Sequence, residues 1–355
     1  MKKNVAIVFG GRSSEHEISC ISAAGILSAI DTNKYNPILI GITREGNWVN
    51  VSSDFPLVIA GGVLPEVPDD APSVVADIHG LCVAGKDLNI DLIFPVLHGP
   101  YGEDGSIQGL CVMADIAFVG NGILASAVAM DKSFAKAIFA AHGMNVTPGF
   151  VVKSNEWMDN KDLFSGLAQE LGYPIFVKPA RGGSSRGTTK VKRSEDFADA
   201  IAVAHSFDPK ALVEKAIAGR EIECAVLEIA GSPEASVLGQ VHFDSKFEFY
   251  DFESKYLDGA TSIELPAPID SAVSEEIRSQ AISAFKSLGC SGLARVDFFL
   301  ADDGKIIINE LNTMPGFTPT SVFPKMWAAS GMDYKRVVDE LINTAFLRNN
   351  GVLGN

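Results

Sequence analysis

The 355-residue chain has little with which to build a disulfide framework. Its five cysteines (Cys20, Cys82, Cys111, Cys224 and Cys290) are odd in number, widely scattered and never in a CxxC pair. That pattern favours reduced, buried thiols over disulfides or zinc ligation. Long hydrophobic runs are also missing. No stretch of about 18 apolar residues occurs, so membrane insertion is not expected. The N-terminal MKKNVAIVFGG turns into glycine after VAIVF, which reads as a beginning strand rather than a signal peptide. A cytoplasmic location is the default expectation. Positive charge is scarce as well: 29 Lys and Arg stand against 44 Asp and Glu, a formal charge of −15. Nucleic acid is excluded as a partner, because binding its phosphates needs a basic surface. Any phosphate ligand must instead be held by a few local cations, with a metal helping.

What is present describes a packed protein of more than one domain. Hydrophobic residues make up 47% and charged residues 21%, which excludes a disordered chain. The length predicts two or three domains. Over residues 1–122 the short apolar runs VAIVFGG, NPILIGI, DLIFPVL and IAFVG alternate with helical stretches, the pattern of a parallel, Rossmann-like sheet. Residues 60–89, rich in Pro and Gly, read as a surface insertion. Residues 123–214 predict a smaller unit: a helix over SAVAMDKSFAKAIFAAHG, strands at FVV, PIFVKP and ALVEK, and a glycine–serine loop. Residues 215–355 carry long antiparallel candidates, EIECAVLEIA, ASVLGQV, ARVDFFLA and KIIINELN. The fold class is therefore α/β, passing to α+β in the later domains, with a crevice expected between the last two units.

Two glycine motifs are decoys. GLCVAGKD (80–87) has the spacing of a Walker A loop, but Asp87 replaces the hydroxyl that would ligate magnesium. GNGILA (120–125) lacks the acidic residue of a dinucleotide site and reads as a domain-joining turn. VKPARGGSSRG (177–187) is more specific, since glycine-rich backbone offers N–H groups at close range and Lys178 sits at the edge of whatever the loop covers. Taken alone it is equally consistent with a solvated hairpin tip.

The stretch LARVDFFLADDGKIIINELN weighs against that plain reading. On a strand Arg295 and Asp297 project together, as do Glu310 and Asn312, and the ADDG turn makes the two runs a hairpin. Two carboxylates and an amide oxygen beside a guanidinium suit Mg²⁺ that also holds substrate phosphates. Near the N-terminus, GGRSSEHEIS predicts Ser14 as a helix N-cap with Glu17 in the reciprocal position, leaving Glu15 for a ligand. In HGPYGEDGS, Asp104 or Ser106 caps the next helix and His98 is the candidate for ligand contact. FEFYDFESKY (247–256) reads either as an edge strand or as a lid carrying Lys255 and Tyr256.

In this order, GGRSSEHEIS, HGPYGEDG, MDK, VKPARGGSS, VEKAIAGRE, YDFESKY, ARVDFF and NELNTMPGFTPTS resemble the D-alanine:D-alanine ligases of the ATP-grasp superfamily, over residues 5 to about 325. The resemblance implies a Rossmann-like domain followed by a two-domain ATP-grasp fold. It implies an enzyme that joins two D-alanines for peptidoglycan precursors, using ATP and two Mg²⁺, with Mn²⁺ as an alternative ion, in a homodimer. Position by position, Lys132, Lys178 and Ser185 would contact ATP phosphates. Glu214, Lys215, Ile217 and Glu221 would line the adenine and ribose pocket. Asp297, Glu310 and Asn312 would hold the metal. Glu15 would hold the first D-alanine's ammonium with His98 nearby, in a hydrogen-bonded set with Ser184 and Tyr256. Ser321 and Val322, with Lys255 in the lid, would serve the second D-alanine. Arg295 and the N–H of Gly316 would stabilise the oxyanion, at roughly 3 kcal/mol per donor. Arg186 departs from the family, which has a small apolar residue there. Two other readings remain: a different ATP-grasp carboxylate–amine ligase, such as one making D-alanyl-D-serine, and a catalytically silent nucleotide-binding regulator.

Overall fold

The structure is a computed structural model that describes residues 2–59, 63–243 and 261–348. The first unit is built on β1 (Lys3–Gly10), α1 (His16–Ala29), β2 (Tyr35–Ile42), β3 (Trp48–Val51), a small antiparallel sheet of β4 (Val74–Asp77), β5 (Gly80–Val83) and β6 (Lys86–Asp87), then β7 (Leu92–Pro95), α2 (Ser106–Met113) and β8 (Ala117–Phe118). The main sheet has the order β3-β2-β1-β7-β8 and is parallel except for β3. Val5 to Phe9 have no exposed surface at all. A strand covered on both faces has no reason to alternate, hence its unbroken apolar run.

The 60–89 segment is not purely superficial. Val67 and Leu81 are buried, and the Val67 N–H bonds His16 Nε2 at 3.1 Å. GLCVAGKD is the β5–β6 hairpin, turning at Ala84 and Gly85, both with positive φ. It cannot start a helix and is no phosphate loop.

Next come α3 (Ile123–Met130), α4 (Lys132–Ala141), β9 (Gly149–Lys153), α5 (Ser154–Trp157), α6 (Lys161–Leu171), β10 (Ile175–Pro179), β11 (Thr189–Val191), α7 (Phe197–His205) and β12 (Lys210–Lys215). The expected single helix over 126–143 is two. Asp131 leaves the helical region (φ −90, ψ 96) and its carboxylate caps α4 by accepting from the N–H groups of Ser133 and Phe134. A carboxylate satisfying orphan N–H groups is the standard cause of such a restart. The antiparallel sheet β11-β10-β12-β9 closes over its own core, with Trp157 edge-on to Phe197 at 5.7 Å.

The last unit holds β13 (Gly219–Ile229), β14 (Ser232–Phe243), β15 (Thr261–Glu264), α8 (Ser271–Ser287), β16 (Leu293–Ala301), β17 (Ile306–Asn312), α9 (Val322–Ala329) and α10 (Tyr334–Leu347). Its sheet order is β15-β14-β13-β16-β17, antiparallel throughout. Ala129, Ala135 and Phe139 of α3 and α4 join this unit's core. Phe317, Phe323 and the α10 residues Val337, Leu341 and Ile342 share a core with β1 and β7 of the first unit. Polar ties reinforce the junction. Asn121 Nδ2 donates to Leu293 O (2.7 Å) and Thr313 O (3.0 Å), and Arg348 Nη2 donates to Phe118 O at 2.7 Å. The GNGILA turn is thus bonded through Asn121 to the start of β16 and the residue after β17.

Candidate active site

Three sets of side chains converge where the units meet. The first surrounds Glu214 on β12. Asp131 starts α4 at Lys132, so Lys132 and Lys136, four residues apart, share one helix face. Across the sheet Glu214 pairs with Phe176, which sets Lys178 diagonally beside it. Lys178 Nζ lies 2.6 Å from Glu214 Oε2, and Lys136 Nζ bonds Glu214 Oε1. Burial alone would disfavour all three charges. For Glu214 the two lysines outweigh burial and hold the carboxyl below its usual range. For Lys178, burial is outweighed by Glu214 and Glu310, and its ammonium is held above the ordinary value. Lys136 goes the other way: burial, with Lys178 nearby, pushes it down to about 8. Lys136 carries no motif and was not legible in the sequence, because its partner lies 78 residues away.

The second set is the β16–β17 hairpin. Asp297 stands opposite Glu310, and Arg295 opposite Asn312, with a register shift immediately after Asp297. Such a bulge re-aims a side chain and is common beside functional sites. Arg295 forks onto Asp297 with two bonds of 2.7 Å, and Asn312 Nδ2 donates to Asp297 Oδ2 at 2.9 Å. On the other side Asp297 opposes Glu223 of β13, whose Oε2 lies 3.4 Å from Arg295 Nε. Lys132 Nζ reaches Glu310 at 3.1 Å and also donates to Gly182 O at 2.8 Å, linking the hairpin to the glycine–serine loop. Among the described residues no three His, Cys, Asp or Glu side chains cluster as a metal site by themselves. The donor set of Asp297, Glu310 and the Asn312 amide is nevertheless all hard oxygen. It fits Mg²⁺ whose remaining ligands come from phosphate and water.

The third set starts at Glu15. Contrary to the capping-box expectation, α1 begins at His16 with Glu15 itself in the cap position, and no side chain caps it. Glu17 pairs instead with Arg44. Glu15 is buried, and Ser184 Oγ donates to its Oε1 at 2.5 Å. The loop can approach because Gly183 lacks a side chain; a Cβ there would stand 3.2 Å from Glu15 Oε2. Ser184 and Ser185 both occupy the left-handed region, φ +48 and +56, a costly conformation held by surrounding contacts. His98 is buried, its Nδ1 3.0 Å from Met314 O and its Nε2 3.3 Å from Ser22 Oγ.

Glu103, overlooked beside Asp104, lies in the same corner. It accepts from the N–H groups of Gly99 (2.9 Å) and Met314 (3.0 Å). Burial, with Glu15 adding to it, raises its pKa. Asp104 serves its own turn, accepting from Tyr101 and Ser106 N–H groups.

The remaining expected residues fall around these sets. Lys215 ends β12 and Ile217 follows it before β13, which carries Glu221. Ser321 is the residue before α9; its Oγ accepts from Thr318 N at 3.0 Å, and Val322 begins the helix. A Cβ on Gly316 would meet Ser321 Oγ at 3.2 Å, so the two flank one spot. Lys255 and Tyr256, with the whole 247–256 stretch, lie outside the described residues.

The glycine–serine loop, tied through Lys132 to the acidic hairpin beside the Glu214 lysines, matches the arrangement of a ligase of the ATP-grasp class. Within it the chain belongs to the D-alanine–D-alanine ligase family, whose N-terminus model matches residues 4–121 and whose C-terminus model matches residues 138–343. Among its relatives, a D-alanine–D-alanine ligase of Arthrobacter sp. (strain FB24) is 47% identical, covering 99% of this chain and 96% of that protein. One of Rhodococcus erythropolis (strain PR4) is 46% identical, over 99% of both. Among solved structures, the VanG D-Ala:D-Ser ligase from Enterococcus faecalis superimposes with a TM-score of 0.85 at 34% identity, covering 97% of this chain and 100% of that one. The D-alanine–D-alanine ligase from Coxiella burnetii gives 0.83 at 32%, covering 98% and 94%. No helix among the described residues is long and apolar enough to cross a membrane.

Proposed function

We propose that this chain condenses two D-alanines into D-alanyl-D-alanine for peptidoglycan precursors, at the expense of ATP. The observation that carries the reading is the 2.5 Å bond from Ser184 to Glu15. It ties the apex of a phosphate-binding loop to a buried carboxylate suited to an amino acid's ammonium, so nucleotide and amino acid meet at one place.

A carboxylate is a poor electrophile, so the first D-alanine's carboxylate attacks the γ-phosphorus of ATP, ADP leaves, and an acyl phosphate forms. Such a transfer is mostly positioning and charge neutralisation. Lys132 and Lys178 supply the charge. Lys132 pairs with Glu310 and Lys178 with Glu214; ATP binding exchanges carboxylate for phosphate, while Lys136 stays to neutralise Glu214. Glu214, Lys215, Ile217 and Glu221 hold adenine and ribose, and Ser185 takes a phosphate oxygen.

Asp297, Glu310 and Asn312 would hold two Mg²⁺, which would supply charge neutralisation at the phosphate oxygens. Glu15, with His98 behind it, orients the first substrate. Ser321 and Val322 receive the second substrate's carboxylate, aided by Lys255. The second D-alanine's amine attacks the acyl carbon, phosphate departs carrying the proton the amine gives up, and the oxyanion formed on the way faces Arg295 and the Gly316 N–H. Ser184 and Tyr256 complete the set around Glu15. The test is D-alanine-dependent phosphate release matched by dipeptide, with D-serine as the competing second substrate. ATP turnover that ignores D-alanine would sink the reading.

A further inference from the structure

Both ends of the glycine–serine loop are held by one surface turn to which neither motif nor family role draws attention. At the start of the loop, Arg181 donates its backbone N–H and its Nε to Asp208 Oδ2 (2.9 and 3.0 Å) and its Nη2 to Asp208 Oδ1 (2.7 Å). Asp208 is buried, and a second backbone donor, Lys210 N, fixes it at 3.0 Å. At the end of the loop, the Arg186 guanidinium lies over the ring of Phe207, 5.9 Å from its centroid. The backbone of Gly187 (φ +73) passes so close that a Cβ would stand 2.6 Å from Phe207 Cδ2. Between these clamps the chain folds on itself, Arg186 N to Gly183 O and Thr188 N to Ser185 O, with the apex serines in the left-handed region.

Phe207 is 54% exposed, so core burial does not account for an aromatic ring here. Its covered side faces the loop. A short loop pinned at both stems has few conformations left, and whichever remain decide where Ser184 and Ser185 point.

We propose that the Phe207–Asp208 turn is a positioning element for the reaction. Asp208 sets where the loop begins; Phe207, through Arg186 and Gly187, sets where it ends. The strained apex is thereby presented to Glu15 and to the ATP phosphates, and water is kept from the acyl phosphate. This gives Arg186 a purpose: its stacking on Phe207 does the work of a loop anchor. The idea rests on the ATP reading above, but its first readout needs no turnover.

The experiment compares Phe207→Ala, Phe207→Tyr and Arg186→Met with the native chain. Amide exchange over 182–188 without nucleotide should rise about two- to fivefold in Phe207→Ala and Arg186→Met, the effect of one exposed cation–aromatic contact. In turnover, phosphate released per dipeptide should exceed one in both, and the KM for ATP should rise more than kcat falls. Phe207→Tyr should restore native values. A folded Phe207→Ala with native loop exchange and one phosphate per dipeptide overturns the proposal. If Phe207→Ala does not fold, Arg186→Met removes the same contact from the exposed side, and native behaviour there overturns it equally. A native chain with no D-alanine-dependent turnover defeats the proposed function instead, and leaves the exchange result to judge the clamp.

Discussion

One buried carboxylate is shared by two lysines: Glu214 holds Lys178 from the neighbouring strand at 2.6 Å and Lys136 from α4. Lys178 can exchange this partner for phosphate while Lys136 keeps Glu214 paired. Lys178→Ala should therefore raise the KM for ATP by about 10- to 100-fold, the worth of one charge-assisted hydrogen bond, with the protein still folded. Initial rates over an ATP series check this; an unchanged KM would place the phosphates elsewhere.

Lys136 is held at about 8 rather than the ordinary 10.5. Between those two values the unfolded chain binds more protons than the folded one, so this group's contribution to stability rises with pH across that window. Activity should move the opposite way. As Lys136 loses its proton above about pH 8, kcat/KM for ATP should fall, since that parameter reports groups of the free enzyme. In Lys136→Arg, whose side chain stays charged, the alkaline limb should shift to higher pH; an unmoved limb would assign it to another group.

On the proposed reading, the Ser184–Glu15 bond makes Ser184 serve the amino acid rather than the nucleotide. Ser184→Ala should lower kcat/KM for D-alanine by about tenfold, as expected for one hydrogen bond to a charged group. ATP affinity, read by calorimetry, should fall much less. A loss confined to ATP would contradict the assignment.

Arg295 forks onto Asp297 beside the Glu310 carboxylate. Arg295→Ala should cut kcat by about 10²- to 10³-fold, the usual effect of deleting an oxyanion donor, while nucleotide still binds. If nucleotide binding vanishes instead, Arg295 is holding the metal face together rather than the oxyanion.

The parallel first sheet and the β16–β17 hairpin were legible because their signals are local. An unbroken apolar strand means two covered faces, and Asp297 and Glu310 meet wherever a short turn joins two alternating runs. The Glu214 triad was only half legible, since Lys136 meets its partner through a tertiary contact that no spacing rule reports. Glu103 hid in a glycine-rich turn whose neighbour Asp104 explained the pattern more cheaply. The capping box over 14–17 failed for a related reason: Glu15 is drawn to Ser184 and Glu17 to Arg44, tertiary partners that outweigh a local cap.

If the lysines around Glu214 and the Glu15 corner serve one reaction, phosphate and dipeptide must appear together. The most direct measurement follows phosphate and dipeptide together, with ATP and Mg²⁺ and each of D-alanine, L-alanine, D-serine and D-lactate. The expected result is one phosphate per D-alanyl-D-alanine with D-alanine, and little turnover with L-alanine or D-lactate alone. A folded protein that binds ATP yet releases no phosphate on addition of D-alanine would contradict it.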